Sequence, residues 1–114
     1  MFGPLIGQRI IGPRTNVERF SLAAQVTGAA QAALDCALQY AKDRVQFGQP
    51  IGQFQLIQEK LARIEVARLN VQNLVFRSIE AQQAGEGMTL AEASAMKLYS
   101  ARAATEVALE AVQI

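Results

Sequence analysis

Tyr-Ala-Lys-Asp-Arg-Val-Gln-Phe-Gly-Gln-Pro-Ile-Gly-Gln-Phe-Gln, residues 40 to 55, closes one long helical pattern, turns on Gly48 and Pro50, and opens a second. The corner gathers a guanidinium (Arg44), an amide (Gln46) and an aromatic ring (Phe47) within four residues. Arg44 at a helix C-terminus complements the partial negative charge there, worth about 0.3–1 kcal/mol. A guanidinium also forks onto phosphate oxygens, and a ring beside it offers a stacking surface. The corner is therefore either a plain helix stop or a place to hold a flat-ringed anion.

On the N-terminal side, residues 1 to 14 hold three Gly and two Pro and read as a loop or arm. Gly3, Gly7 and Gly12 lack dinucleotide-fingerprint spacing. Thr15-Asn16-Val17-Glu18 fits a capping box, so a first helix is expected from Thr15 to about Arg44. Phe20, Ala24, Ala30, Leu34, Ala37, Leu38 and Ala41 form its apolar set. Gly28, Ala29, Ala32 and Ala33 suit the close approach of another helix, since Gly inside a helix costs roughly 1 kcal/mol and calls for a packing reason. Its expected length of about 40 Å suits a bundle within a larger protein.

On the C-terminal side a second helix is expected from Gly52–Phe54 to about Ala84. Ile57, Leu61, Ile64, Ala67, Val71, Leu74, Val75 and Ile79 step along it by threes and fours. Glu59, Lys60, Arg63, Glu65, Arg68, Arg77 and Glu80 fall off this stripe as a solvated face. Gly85-Glu86-Gly87 breaks the pattern, and Thr89-Leu90-Ala91-Glu92 is a second capping box opening a third helix. Ala93, Met96, Leu98, Ala101, Ala104, Val107, Ala108 and Ala111 are its expected packing residues. No alternating strand pattern stands out. The expected fold is all-α: an antiparallel bundle of three long helices with short connections. The chain stops at Gln113-Ile114 without a helix stop signal, as a truncated piece of a longer protein would.

With 114 residues the chain is one domain or part of one. A net charge of +1 gives no argument for a nucleic-acid partner. The absence of His excludes His-based acid–base chemistry and His metal sites. The single Cys36 cannot form an internal disulfide and reads as a small buried filler in a reducing compartment. No apolar run reaches the roughly 18 residues needed to span a bilayer. Ser and Cys lack a neighbouring base, and no metal-ligand cluster or phosphate-cradling loop occurs.

Tyr40-Ala-x-x-Arg44-x-Gln46-Phe47-Gly48, followed by Pro50-Ile51 and Phe54-Gln55, closely resembles the helix-turn-helix signature of the acyl-CoA dehydrogenase family. The likeness covers residues 15 to 114, with 1 to 14 as an arm, and implies three helices of the family's C-terminal four-helix bundle. It implies an FAD cofactor and α,β-dehydrogenation of an acyl-CoA thioester by the parent enzyme, the isolated chain being inactive. The positions matching Arg44, Gln46, Phe47 and Gln55 contact the diphosphate and adenosine side of a flavin held chiefly by a neighbouring subunit. Gln113 matches a further FAD-contacting glutamine. Asn16 and Arg19 match a segment that touches the CoA part of the substrate. Glu18 matches the catalytic base of the isovaleryl and long-chain branches, although the capping box already described is the better account of it. The resemblance further implies a homo-oligomer (dimer or tetramer), electron-transfer flavoprotein as a possible partner, and a bacterial cytoplasmic or mitochondrial matrix location. The competing expectation is a helical oligomerisation module without a ligand.

Overall fold

The computed structural model describes residues 12–87 and 89–114, with side chains from residue 18 onward. Helix α1 (Gly12–Asp43) leads into a short hairpin, β1 (Val45–Gln46) and β2 (Gln49–Pro50). A 3-10 turn (Ile51–Gln53) then passes the chain to α2 (Gln55–Gln83), and α3 (Leu90–Gln113) follows. Each helix packs on both others, so the all-α antiparallel bundle expected from the periodicity is present. The shape is a rod of 68 × 27 × 17 Å. Its radius of gyration, 18.2 Å, exceeds the roughly 13 Å of a compact chain this size because the helices are long and lie side by side.

Helix α1 starts at Gly12, three residues before the expected Thr15. Pro13 is tolerated there because an amide in the first helical turn has no intrahelical partner to lose. The helix runs through Thr15, which is therefore not its N-cap. Residues 12–14 of the expected 1–14 arm are therefore helical, while its residues 1–11 and the Thr15 and Asn16 side chains lie outside the described residues.

Ala23, Val26, Ala30, Leu34, Ala37 and Ala41 of α1 face Ile64, Ala67, Val71 and Val75 of α2 and Ala93, Met96, Ser100, Ala103 and Val107 of α3. Alanines on α1 and α3 let the backbones come close, while Ile64 and Val71 supply the bulk between them. Several expectations fail here. Ala24 is exposed, and Cys36 is exposed rather than a buried filler, because each lies one residue off the buried positions of α1 and so about 100° round the helix. Gly28 has nothing within 4 Å of its would-be Cβ, so no helix among the described residues approaches it. On α3, Leu98, Ala101 and Ala108 are exposed and Ser100 and Ala103 take the core positions instead. Alanines are spread round most of that helix, so its periodicity alone does not choose a face.

The connection from α2 to α3 follows its residues. Gly85 takes φ 80°. Its N–H donates to Gln82 C=O, and Glu86 N–H donates to Ala81 C=O, at 3.1 and 2.9 Å. This pair of hydrogen bonds with a left-handed glycine is the Schellman termination. Thr89 then caps α3: its hydroxyl accepts from Glu92 N–H at 3.1 Å while the Glu92 carboxylate accepts from Thr89 N–H at 3.3 Å.

The corner at residues 44–54 differs from its expectation. Pro50 is not in the turn. It pairs with Val45, and Gln49 pairs with Gln46, in a two-residue antiparallel ladder. The turn residues are Phe47 and Gly48, at φ 54° and 81°. Positive φ at both central positions is the requirement of a type I′ turn, the turn whose twist matches a two-residue hairpin. A ladder two residues long is too short to leave an alternating pattern.

Candidate functional site

The hairpin projects from the end of the bundle and carries three of the expected site residues. Arg44 closes α1 through its N–H, which donates to Tyr40 C=O at 2.8 Å, and its own C=O accepts from Ile51 N–H at 2.8 Å. Its backbone is thus locked while its side chain is exposed and joins none of the ion pairs among the described residues. Gln46 is exposed. Phe47 is 91% exposed, and its ring meets Phe54 edge to face with centroids 6.1 Å apart and planes at 84°. Gln55, also exposed, begins α2 beside them.

Two observations set this corner apart from a mere helix stop. A non-glycine residue in the left-handed region costs on the order of 1–3 kcal/mol, yet Phe47 adopts it without burying its ring. Gly52 fits tightly beneath: a Cβ there would lie 3.2 Å from Ala41 C=O. The hairpin base is therefore seated on the end of α1, and the guanidinium, amide and ring are offered to solvent from a fixed backbone.

Gln113, the last residue of α3, comes to the same end of the rod. Its amide oxygen accepts from Lys60 Nζ at 2.7 Å, and Lys60 also pairs with Glu110 at 3.3 Å. Lys60 was expected on a solvated face. It is instead three-quarters buried and ties α2 to α3. Its contacts are 50 and 53 residues away, so no local pattern marks it.

Asn16, Glu18 and Arg19 sit at the far end. Glu18 lies 25 residues of continuous helix before Asp43, or about 37 Å at 1.5 Å per residue. The Asn16 side chain lies outside the described residues. Glu18 is exposed and takes part in an interaction of its own. Arg19 is partly buried, and its Nε and Nη1 atoms are enclosed without a hydrogen bond among the described residues. Buried guanidinium nitrogens left unpaired are costly and mark a place where an anion or carbonyl oxygen would be welcome. The two expected groups therefore do not converge within one chain.

Among the described residues no group of His, Cys, Asp and Glu could hold a metal ion, and no helix is long and apolar enough to cross a membrane.

The described chain is thus a helical bundle with a strained, exposed hairpin at one end and a partly buried arginine at the other. The family profile "Acyl-CoA dehydrogenase, C-terminal domain" matches residues 7–114, and the chain belongs to that family. It is 43% identical over 99 residues to the probable acyl-CoA dehydrogenase YdiO of Escherichia coli (strain K12), covering 86% of this chain and 25% of the relative. It is 35% identical over 111 residues to the mitochondrial short-chain specific acyl-CoA dehydrogenase of Homo sapiens, covering 97% of this chain and 27% of that one. Among solved structures, butyryl-CoA dehydrogenase from Megasphaera elsdenii superposes with a TM-score of 0.79 at 37% identity, over 87% of this chain and 26% of that one. The chain thus spans about a quarter of the length of the curated relatives it matches. Acyl-CoA dehydrogenases are FAD-dependent flavoproteins.

Proposed function

We propose that this chain is the C-terminal helical portion of a flavin-dependent acyl-CoA dehydrogenase. In this reading it contributes contacts to FAD through its hairpin and to acyl-CoA through the opposite end of α1. The observation that carries the reading is the fixed, solvent-facing Arg44–Gln46–Phe47 corner. Its donor set suits the group: a guanidinium for a diphosphate, an amide for polar edges, and an unburied ring for stacking on a flat base. Gln55 and Gln113 add amides at the same end. When bound, FAD supplies the two-electron acceptor for α,β-dehydrogenation.

The separation of about 37 Å between the two groups along α1 favours a division of labour between protomers: a hairpin serves the flavin of a neighbour while the N-terminal end of α1 serves its own substrate. Arg19, with two buried unpaired nitrogens, and Asn16 would bind the CoA moiety. Glu18 would take the α-proton of the thioester, a role that needs the rest of the enzyme to cover it and raise its pKa by desolvation. Electron-transfer flavoprotein, and a bacterial cytoplasmic or mitochondrial matrix setting, belong to the same proposal.

The test is an FAD titration followed by flavin fluorescence. Arg44→Ala should weaken binding about tenfold, in line with loss of a charge-assisted bond. Unchanged affinity in Arg44→Ala and Phe47→Ala would leave the corner without a ligand role.

A second reading, a helical self-association module, is favoured by the outward apolar faces of α2 and α3, which expose Val66, Leu69, Phe76, Leu98, Leu109 and Val112. The two readings are compatible, because contacts between protomers are what the first one requires.

A further inference from the structure

Two residues of the corner sit where their side chains are poorly matched to the backbone, and those two touch each other. Phe47 holds the left-handed conformation that its Gly48 neighbour adopts at no steric cost. Phe54 occupies the N-cap of α2 and makes no side-chain capping bond there. Ser, Thr, Asp and Asn are preferred at that position because a side-chain oxygen accepts from a free amide of the first turn. Burial does not explain the first misfit, since Phe47 is almost wholly exposed, whereas Phe54 is largely covered. Local rules are broken together mainly where function demands it.

The backbone of Phe54 is held from both sides. Its N–H donates to Ile51 C=O at 3.0 Å, and its C=O accepts from Ile57 and Gln58 N–H at 3.1 Å each. The Gln58 side-chain amide also donates to Gly52 C=O at 3.1 Å, bracing the 3-10 turn. The Phe54 backbone is therefore fixed, and its ring meets that of Phe47 edge to face.

We infer that Phe54 is a positioning residue, whose ring sets the orientation in which Phe47 presents its face to the planar base of a flavin dinucleotide. This rests on the flavin-contact reading above and adds to it a role for a residue that would not itself touch the ligand.

The experiment has two arms on the full chain. NMR without ligand reports the geometry: wild type should show a strong intraresidue amide–Hα contact at Phe47, the mark of positive φ, and ring-current-shifted phenylalanine protons. Phe54→Leu should lose the ring-current shifts and Phe54→Tyr should keep them. FAD titration reports the consequence: Phe54→Leu should bind about 2- to 10-fold more weakly, the span of a lost aromatic pair, with Phe54→Tyr close to wild type. The double variant Phe47→Ala/Phe54→Leu should bind no worse than Phe47→Ala alone. An equal further loss in the double variant would show that Phe54 acts independently of Phe47 and would overturn the inference. So would Phe54→Leu spectra that keep the Phe47 shifts. Wild type that keeps the shifts but binds no FAD would instead sink the flavin-contact reading, and the purpose assigned here with it.

Discussion

Phe47 carries the tension between folding and function most visibly. Asn-Gly is the pair a type I′ turn prefers, and Phe-Gly stands in its place. Phe47→Asn should therefore raise stability by roughly 1 kcal/mol, because relief of left-handed strain exceeds the lost edge contact with Phe54. Urea unfolding checks this, and the same variant should bind FAD more weakly. A loss of stability would mean that the ring is there for the fold. Glu65 offers a separate test in its pairing with Arg68, whose Nη2 and Nε donate to the carboxylate at 2.6 and 2.8 Å. These bonds hold Glu65 below the ordinary glutamate value of 4.5. A depressed folded value means that its contribution to stability is present above about pH 4.5 and is lost as pH falls through the folded value. Carbon-13 titration of Glu65 should give a midpoint below 4.5, moving back toward it in Arg68→Ala. A wild-type midpoint at or above 4.5 would mean that the pair does not persist in solution.

Helix boundaries follow residues whose chemistry is local. Thr89 and Glu92 cap α3 as their spacing foretells, and Gly85 ends α2. The hairpin was invisible for the opposite reason: four paired residues are too few to impose a period, and its turn uses Phe where Asn or Gly would be the signal. On α3, Ser100 lies in the core at 0% exposure and its hydroxyl has no partner among the described residues. Burying an unpaired hydroxyl costs about 1–3 kcal/mol. Ser100→Ala should accordingly raise the melting temperature, with a gain of about 1 kcal/mol. A calorimetric decrease would mean that the hydroxyl finds a partner, such as a buried water.

The rod as a whole leaves much apolar surface uncovered. Leu98 is 59% exposed, Leu109 58% and Val112 85%, all on the outward side of α3. Apolar faces of this kind mark surfaces that meet another body. Sedimentation velocity should show concentration-dependent association of the chain, reduced in the Leu98→Glu/Leu109→Glu variant. A monomer at all concentrations tested would remove the self-association reading. The same shape sets the two candidate contact regions at opposite ends of one helix, so neither can complete the other within a single copy.

Residue order alone determined three helices, their antiparallel arrangement, the cap of α3 and the corner with its guanidinium and ring. These depend on contacts within a few residues, or on a period that repeats along one helix. Only the tertiary structure decided which side of α3 is buried, that Lys60 reaches Glu110 and Gln113, that Cys36 faces outward, and that Phe47 takes a left-handed φ beside Phe54. Each of these depends on how helices rotate and approach one another, or on the φ of a single residue. Neither leaves a periodic trace in a chain whose third helix carries alanines on most of its sides.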